Sequence, residues 1–221
     1  MADKPLEGIR VAILCATDFE QSEMTEPRRA LQEAGAETVL ISPRPGEIQG
    51  RHHDEKGDKF KVEMDLSEAS PESFDGLLLP GGAANAGELR TVEVAQGFVR
   101  HFQERHKPMA VICHAPWVLA SAGLARGRKL TSYPGIADDM RAAGANWVDQ
   151  EVVVDDNLIT SRTPRDIPAF NREMIALFAR HRASEHQRPL AETVQEYVGA
   201  EELNAPSGAV QETGGKGMTF G

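Results

Sequence analysis

Short apolar runs that alternate with helical patterns constrain this chain more than any other feature. Gly8-Ile9-Arg10-Val11-Ala12-Ile13-Leu14-Cys15 is nearly continuous in apolar residues. That is the signature of a strand covered on both faces. Thr17-Asp18-Phe19-Glu20-Gln21-Ser22-Glu23 is acidic and rich in cap formers, so a helix is expected from here to Ala34, with Gly35 as its C′ residue. Glu37-Thr38-Val39-Leu40-Ile41-Ser42 is the next strand. Strand, helix and strand form a right-handed βαβ unit. The triplet Leu77-Leu78-Leu79 and the run Pro108 to Ile112 continue the alternation, which predicts an α/β doubly wound, mostly parallel sheet of about six strands.

Other stretches fit around that frame. Residues 43–65 break the rhythm, and Glu47-Ile48-Gln49-Gly50 with Lys59-Phe60-Lys61-Val62-Glu63 reads as a hairpin around Gly57. Its His52-His53-Asp54-Glu55 segment is expected to be a solvated excursion used between subunits rather than a metal site. Glu88 to Arg105 reads as one amphipathic helix, Asp138 to Ala142 as a short helix with Asp138-Asp139 on a solvated face, and Pro164 to Arg182 as a final helix. Asp155-Asp156-Asn157 is a turn that pairs Glu151–Val154 with Leu158–Thr160. Composition shifts near Ala183, giving an α/β domain at 1–184 and a C-terminal extension at 185–221. A further helix is expected over Leu190 to Glu202, followed by a Gly-rich tail from Ser207.

Charge and cysteine usage narrow the partners. A formal charge of −10 argues against nucleic acid or an anionic membrane as the main partner. No apolar run approaches the length of a bilayer span, and Met-Ala-Asp-Lys-Pro-Leu-Glu at the start has no signal-peptide core. Only Cys15 and Cys113 are present, so a reducing cytoplasm is the expected location.

Chemistry concentrates at Val111-Ile112-Cys113-His114-Ala115-Pro116, where a strand meets a helix. Ligands bind at the carboxyl ends of strands in such sheets. Pro116 suits the first turn of a helix, and the amides there would favour a thiolate. Lone cysteines are mostly small core residues; the adjacent His114 and the upstream Pro80-Gly81-Gly82 turn favour a reactive one. Free amides in that turn can serve as an oxyanion hole.

Several segments together resemble the PfpI-type intracellular proteases of the ThiJ/PfpI superfamily. They are Asp18 to Glu23, Leu79 to Gly82, Val111 to Pro116, Leu130 to Tyr133, Trp147 to Asp155 and Thr160 to Pro164. The resemblance implies a flavodoxin-like three-layer sandwich that assembles as a homo-oligomer, a dimer or larger. It implies Cys113 as nucleophile, His114 as catalytic histidine, and Glu23 as the carboxyl on the cysteine, with Glu20 as fallback. It implies the Gly82 and His114 amides as oxyanion hole, with Gly81 and Tyr133 in the pocket. The family commonly places an acid three residues before the Arg that follows the Gly-Gly turn, to orient the histidine from a neighbouring subunit. Counting back from Arg90 gives Gly87, which leaves Glu88 as the remaining candidate acid.

Peptidases, chaperones, redox sensors, glyoxalases and deglycases are all described in that family. Amide hydrolysis needs a histidine held in one tautomer, which the missing acid weakens. Addition of a thiolate to an aldehyde needs only an oxyanion donor and one proton-moving base, with no metal or organic cofactor. The leading expectation is therefore a glyoxalase or deglycase acting on small dicarbonyls and early glycation adducts. The alternatives are a peptidase completed at a subunit interface, and a non-catalytic redox sensor or chaperone.

Overall fold

The computed structural model describes residues 4–187, and the elements that build the site belong to the compact unit Met1–Ser184. The strands are β1 (Arg10–Leu14), β2 (Phe19–Glu20), β3 (Glu37–Ser42), β4 (Glu47–His52), β5 (Glu55–Lys61), β6 (Met64–Asp65), β7 (Gly76–Leu79), β8 (Met109–Ile112), β9 (Lys129–Leu130), β10 (Asn146–Trp147), β11 (Val152–Asp155) and β12 (Leu158–Ser161). The helices are α1 (Gln21–Glu33), α2 (Ala83–Leu89), α3 (Glu93–Glu104), α4 (Pro116–Ser121), α5 (Ala137–Ala142) and α6 (Ile167–Gln187). A seven-stranded sheet in the order β11-β12-β8-β7-β1-β3-β6 forms the centre. It is parallel except for the β11–β12 edge pair.

Alternation along the strands builds two cores. Val11, Ile13, Leu78 and Ile112 face α1 and α6, packing on Met24, Leu31, Phe170 and Met174. Ala12, Leu14, Leu79 and Val111 face the other way, onto Phe98, Val99 and Phe102 of α3 and Leu119 of α4. The fold is the expected flavodoxin-like sandwich, with helices on both faces of a mostly parallel sheet. Chain order reverses between β1 and β7, and a crevice opens at that switch point.

Three local expectations are corrected. Helix α1 begins at Gln21, not Thr17, because Phe19 and Glu20 pair with Gly50 and Arg51 of β4. The hairpin turns at His53 and Asp54, since His52 opposes Glu55, with His53 at φ +56°. Gly57 instead sits inside β5, where a side chain would strike Gln21. The 88–105 segment is two helices: Thr91 sends both its amide (3.0 Å) and its hydroxyl (2.8 Å) to the Glu88 carbonyl and ends α2 there. The expected helix at 190–202 and tail from 207 lie outside the described residues. No helix among those described is long and apolar enough to cross a membrane.

Candidate active site

The crevice is built where β1, β7 and β8 end. Cys113 follows β8 with a left-handed backbone, φ +64°, a conformation a non-glycine residue holds only when its surroundings impose it. Here its amide donates to Ser161 O (3.0 Å) and its carbonyl accepts from Tyr133 N (2.7 Å). The kink aims Sγ at the amides of Gly82 and His114, both of which hydrogen-bond it. Gly82 reaches this place at φ +92°, and a Cβ there would lie 2.8 Å from Asp18 O. Gly81 is equally confined, since its Cβ would meet Cys113 Cβ and Glu23 Oε2, each at 2.6 Å.

Glu23, in the first turn of α1, is fully buried beside this thiol. Its Oε2 accepts the Gly81 amide at 2.9 Å, while Oε1 is buried without a nitrogen or hydroxyl donor. Burial raises its pKa to about 8, Glu20 adds to the rise, and the Gly81 amide and Cys113 oppose it. Burial likewise pushes the Cys113 thiol up, the Glu23 charge adds, and the two amides pull it back. The sequence expectation that a helix N-terminus makes the thiolate is thus corrected. Helix α4 is six residues long and starts three residues later, too little to outweigh burial. Two acidic groups that cannot both be charged share a proton instead.

His114 places Nδ1 3.2 Å from Cys113 Sγ. Its ring stacks on Tyr133 (centroids 4.4 Å, 25° between planes) and leans on Trp117 at 5.3 Å. Burial lowers its pKa, so the neutral imidazole is favoured. Among the described residues no carboxylate hydrogen-bonds it. Glu88 pairs with Arg44 (2.7 Å) and does not line the pocket of its own chain.

Glu20 does line the pocket of about 520 Å³, with Glu23, Gly82, Cys113, His114 and Tyr133. Its carboxylate is fixed by the Ser22 hydroxyl (3.2 Å) and the His53 amide (3.0 Å). Sequence reasoning missed this hairpin contribution: the tip covers the site with His53 and Asp54. It also missed Asn85, fully buried, whose Oδ1 holds Ala16 N (2.6 Å) and whose Nδ2 bonds Pro80 O and Gly81 O (2.9 Å each). Asn85 therefore ties the end of β1 to the Gly-Gly turn. Asp138 and Asp139 are exposed as expected, and Asp139 also accepts the Trp117 indole N–H at 2.7 Å. Among the described residues no three His, Cys, Asp or Glu side chains converge as a metal-binding set.

A cysteine on a strained strand-to-helix turn, flanked by two amides and a buried acid in a flavodoxin-like sheet, defines a class of cysteine-centred α/β proteins. Within that class, the DJ-1/PfpI family model matches residues 9–177, and the chain belongs to this family. It is 45% identical over 169 residues to Deglycase PH1704 of Pyrococcus horikoshii, covering 76% of this chain and 99% of that one. It is 42% identical over 174 residues to Protein/nucleic acid deglycase 2 of Escherichia coli, covering 76% and 96%. Drosophila melanogaster DJ-1beta superposes with a TM-score of 0.70 at 26% identity, over 77% of this chain and 90% of that one.

Proposed function

We propose that this protein is a dicarbonyl-processing enzyme, a glyoxalase or deglycase that works on methylglyoxal, glyoxal and their early adducts through Cys113. The observation that carries this reading is the buried Glu23–Cys113 pair beneath the Gly82 and His114 amides. The deglycase names of its relatives support it.

The arrangement accounts for each step. With the shared proton on Glu23, the Cys113 thiolate adds to the aldehyde carbon of methylglyoxal and forms a C–S bond. The carbonyl electron pair moves to oxygen, where the Gly82 and His114 amides stabilise it, and a proton closes the hemithioacetal. The proton on the former aldehyde carbon is then carried to the neighbouring ketone carbon by Glu23 or His114, through an enediol. This step oxidises one carbon and reduces the other, so no external oxidant enters. Water hydrolyses the resulting thioester, releasing lactate and regenerating the thiol. For an adduct on an amine or thiol, the carrier is the leaving group. A proton-moving base needs only reach the carbon, whereas a peptidase needs an oriented histidine; His114 has no carboxylate partner in the described chain. The test is lactate formation from methylglyoxal by wild type beside Cys113→Ala. Lactate from the first alone is expected; strong peptide hydrolysis without lactate would reverse the assignment.

A further inference from the structure

The mouth of the pocket carries two charges that the fold does not consume. Arg165, in the turn Pro164–Asp166 that leads into α6, is exposed, lines the pocket, and has no ion-pair or hydrogen-bond partner among the described residues. Nearby arginines are engaged: Arg51 with Asp18 (2.6 Å), and Arg162 with Asp149 (2.8 Å) and Asp166 (3.0 Å). The Arg162 clamp on the buried Asp166 braces the very turn that presents Arg165.

Asp54 is the second unused charge. It sits at the hairpin tip, lines the same pocket, and gives only its carbonyl, to Arg51 (3.1 Å); its carboxylate has no partner among the described residues. Asp54 and Arg165 form no ion pair with one another. The remaining charged groups of the pocket are committed, Glu20 to Ser22 and His53, and Glu23 to Gly81 and Cys113. His53 leans on Glu20 at 3.4 Å.

A free cation and a free anion at one mouth, above a nucleophile, match a dipolar ligand. A guanidinium offers a planar fork suited to a carboxylate, and a carboxylate accepts from an ammonium. We propose that Arg165 and Asp54 read the carboxylate and the ammonium of a free α-amino acid, so that the pocket prefers dicarbonyl adducts of free amino acids. In a protein those two groups are consumed by peptide bonds and offer neither charge. The chemistry at Cys113 is that of the reading above; the subsite concerns only which carrier is held.

Calorimetric binding to Cys113→Ala tests the subsite without turnover. The probes are the methylglyoxal adducts of arginine, Nα-acetylarginine (carboxylate only) and argininamide (ammonium only). Arginine should bind about tenfold more tightly than either blocked form, the scale of one charge-assisted contact. Adding Arg165→Gln should weaken arginine and Nα-acetylarginine and spare argininamide; adding Asp54→Asn should weaken arginine and argininamide and spare Nα-acetylarginine. Equal affinity for all three adducts, or the same loss for all three in both variants, would overturn the proposal. Lactate release by wild type, measured in parallel, separates the two claims. Discrimination without lactate sinks the dicarbonyl reading, and lactate without discrimination sinks the subsite.

Discussion

Cys15 and Cys113 begin from similar positions, each just past the carboxyl end of a central strand and each buried. Burial raises both thiols. Cys15 continues in register, its amide on Ile41 O at 3.0 Å, and is fully enclosed by the core. Cys113 turns out at φ +64° into a pocket, under two amides and against a buried acid. Depth therefore does not separate a core cysteine from the proposed nucleophile. What separates them is a forced backbone kink, donors aimed at sulfur, and a second acidic group able to take the proton.

Substitutions can break or sharpen that contrast. Cys113→Ala should lower lactate formation at least ~10³-fold, the scale for losing a nucleophile, while Cys15→Ala keeps turnover and loses ~1 kcal/mol of stability in urea unfolding. Equal losses of turnover would erase the distinction. Glu23→Gln should lower kcat by ~10²–10³, because the pair loses its proton carrier; turnover kept at the wild-type level would remove Glu23 from the mechanism. Tyr133→Ala, which unstacks His114, should cost about fivefold in kcat/KM, the worth of ~1 kcal/mol of ring contact.

Glu23 also leaves a signature in stability. Its pKa rises from 4.5 to about 8 on burial. Between those values the unfolded chain has released the proton that the native carboxyl keeps. Stability thus falls as pH rises through that window and levels off above it, with a slope of at most ~1.4 kcal/mol per pH unit. Urea unfolding of Glu23→Gln from pH 5 to 8 should lack that slope; parallel curves would mean the carboxyl is not buried as described.

Much of this was legible in the residues. The two-faced strands follow from their unbroken apolar runs, and the kinked Cys113 from a strand that meets Pro116. What escaped depends on contacts distant in sequence. Nothing local says that Phe19 and Glu20 will pair with Gly50 and Arg51, yet that pairing delays α1 and folds the hairpin over the pocket. The His52-His53-Asp54 segment is exposed as expected, but its contact with Glu20 escaped because the two lie 33 residues apart. Asn85 carried one weak signal, a polar residue in an otherwise small-residue helix start. The thiol misled for another reason: a helix-terminus argument ignores depth, and depth dominates at Cys113.

The central claim is that the kinked, acid-coupled cysteine, and not the enclosed one, forms a covalent intermediate with a dicarbonyl. Acid quenching of the wild type during methylglyoxal turnover, followed by peptide mass mapping, addresses it directly. The account predicts a lactoyl addition on the peptide bearing Cys113, none on that bearing Cys15, and far less of the Cys113 addition in Glu23→Gln. Lactate formed at full rate with neither cysteine ever modified would contradict it.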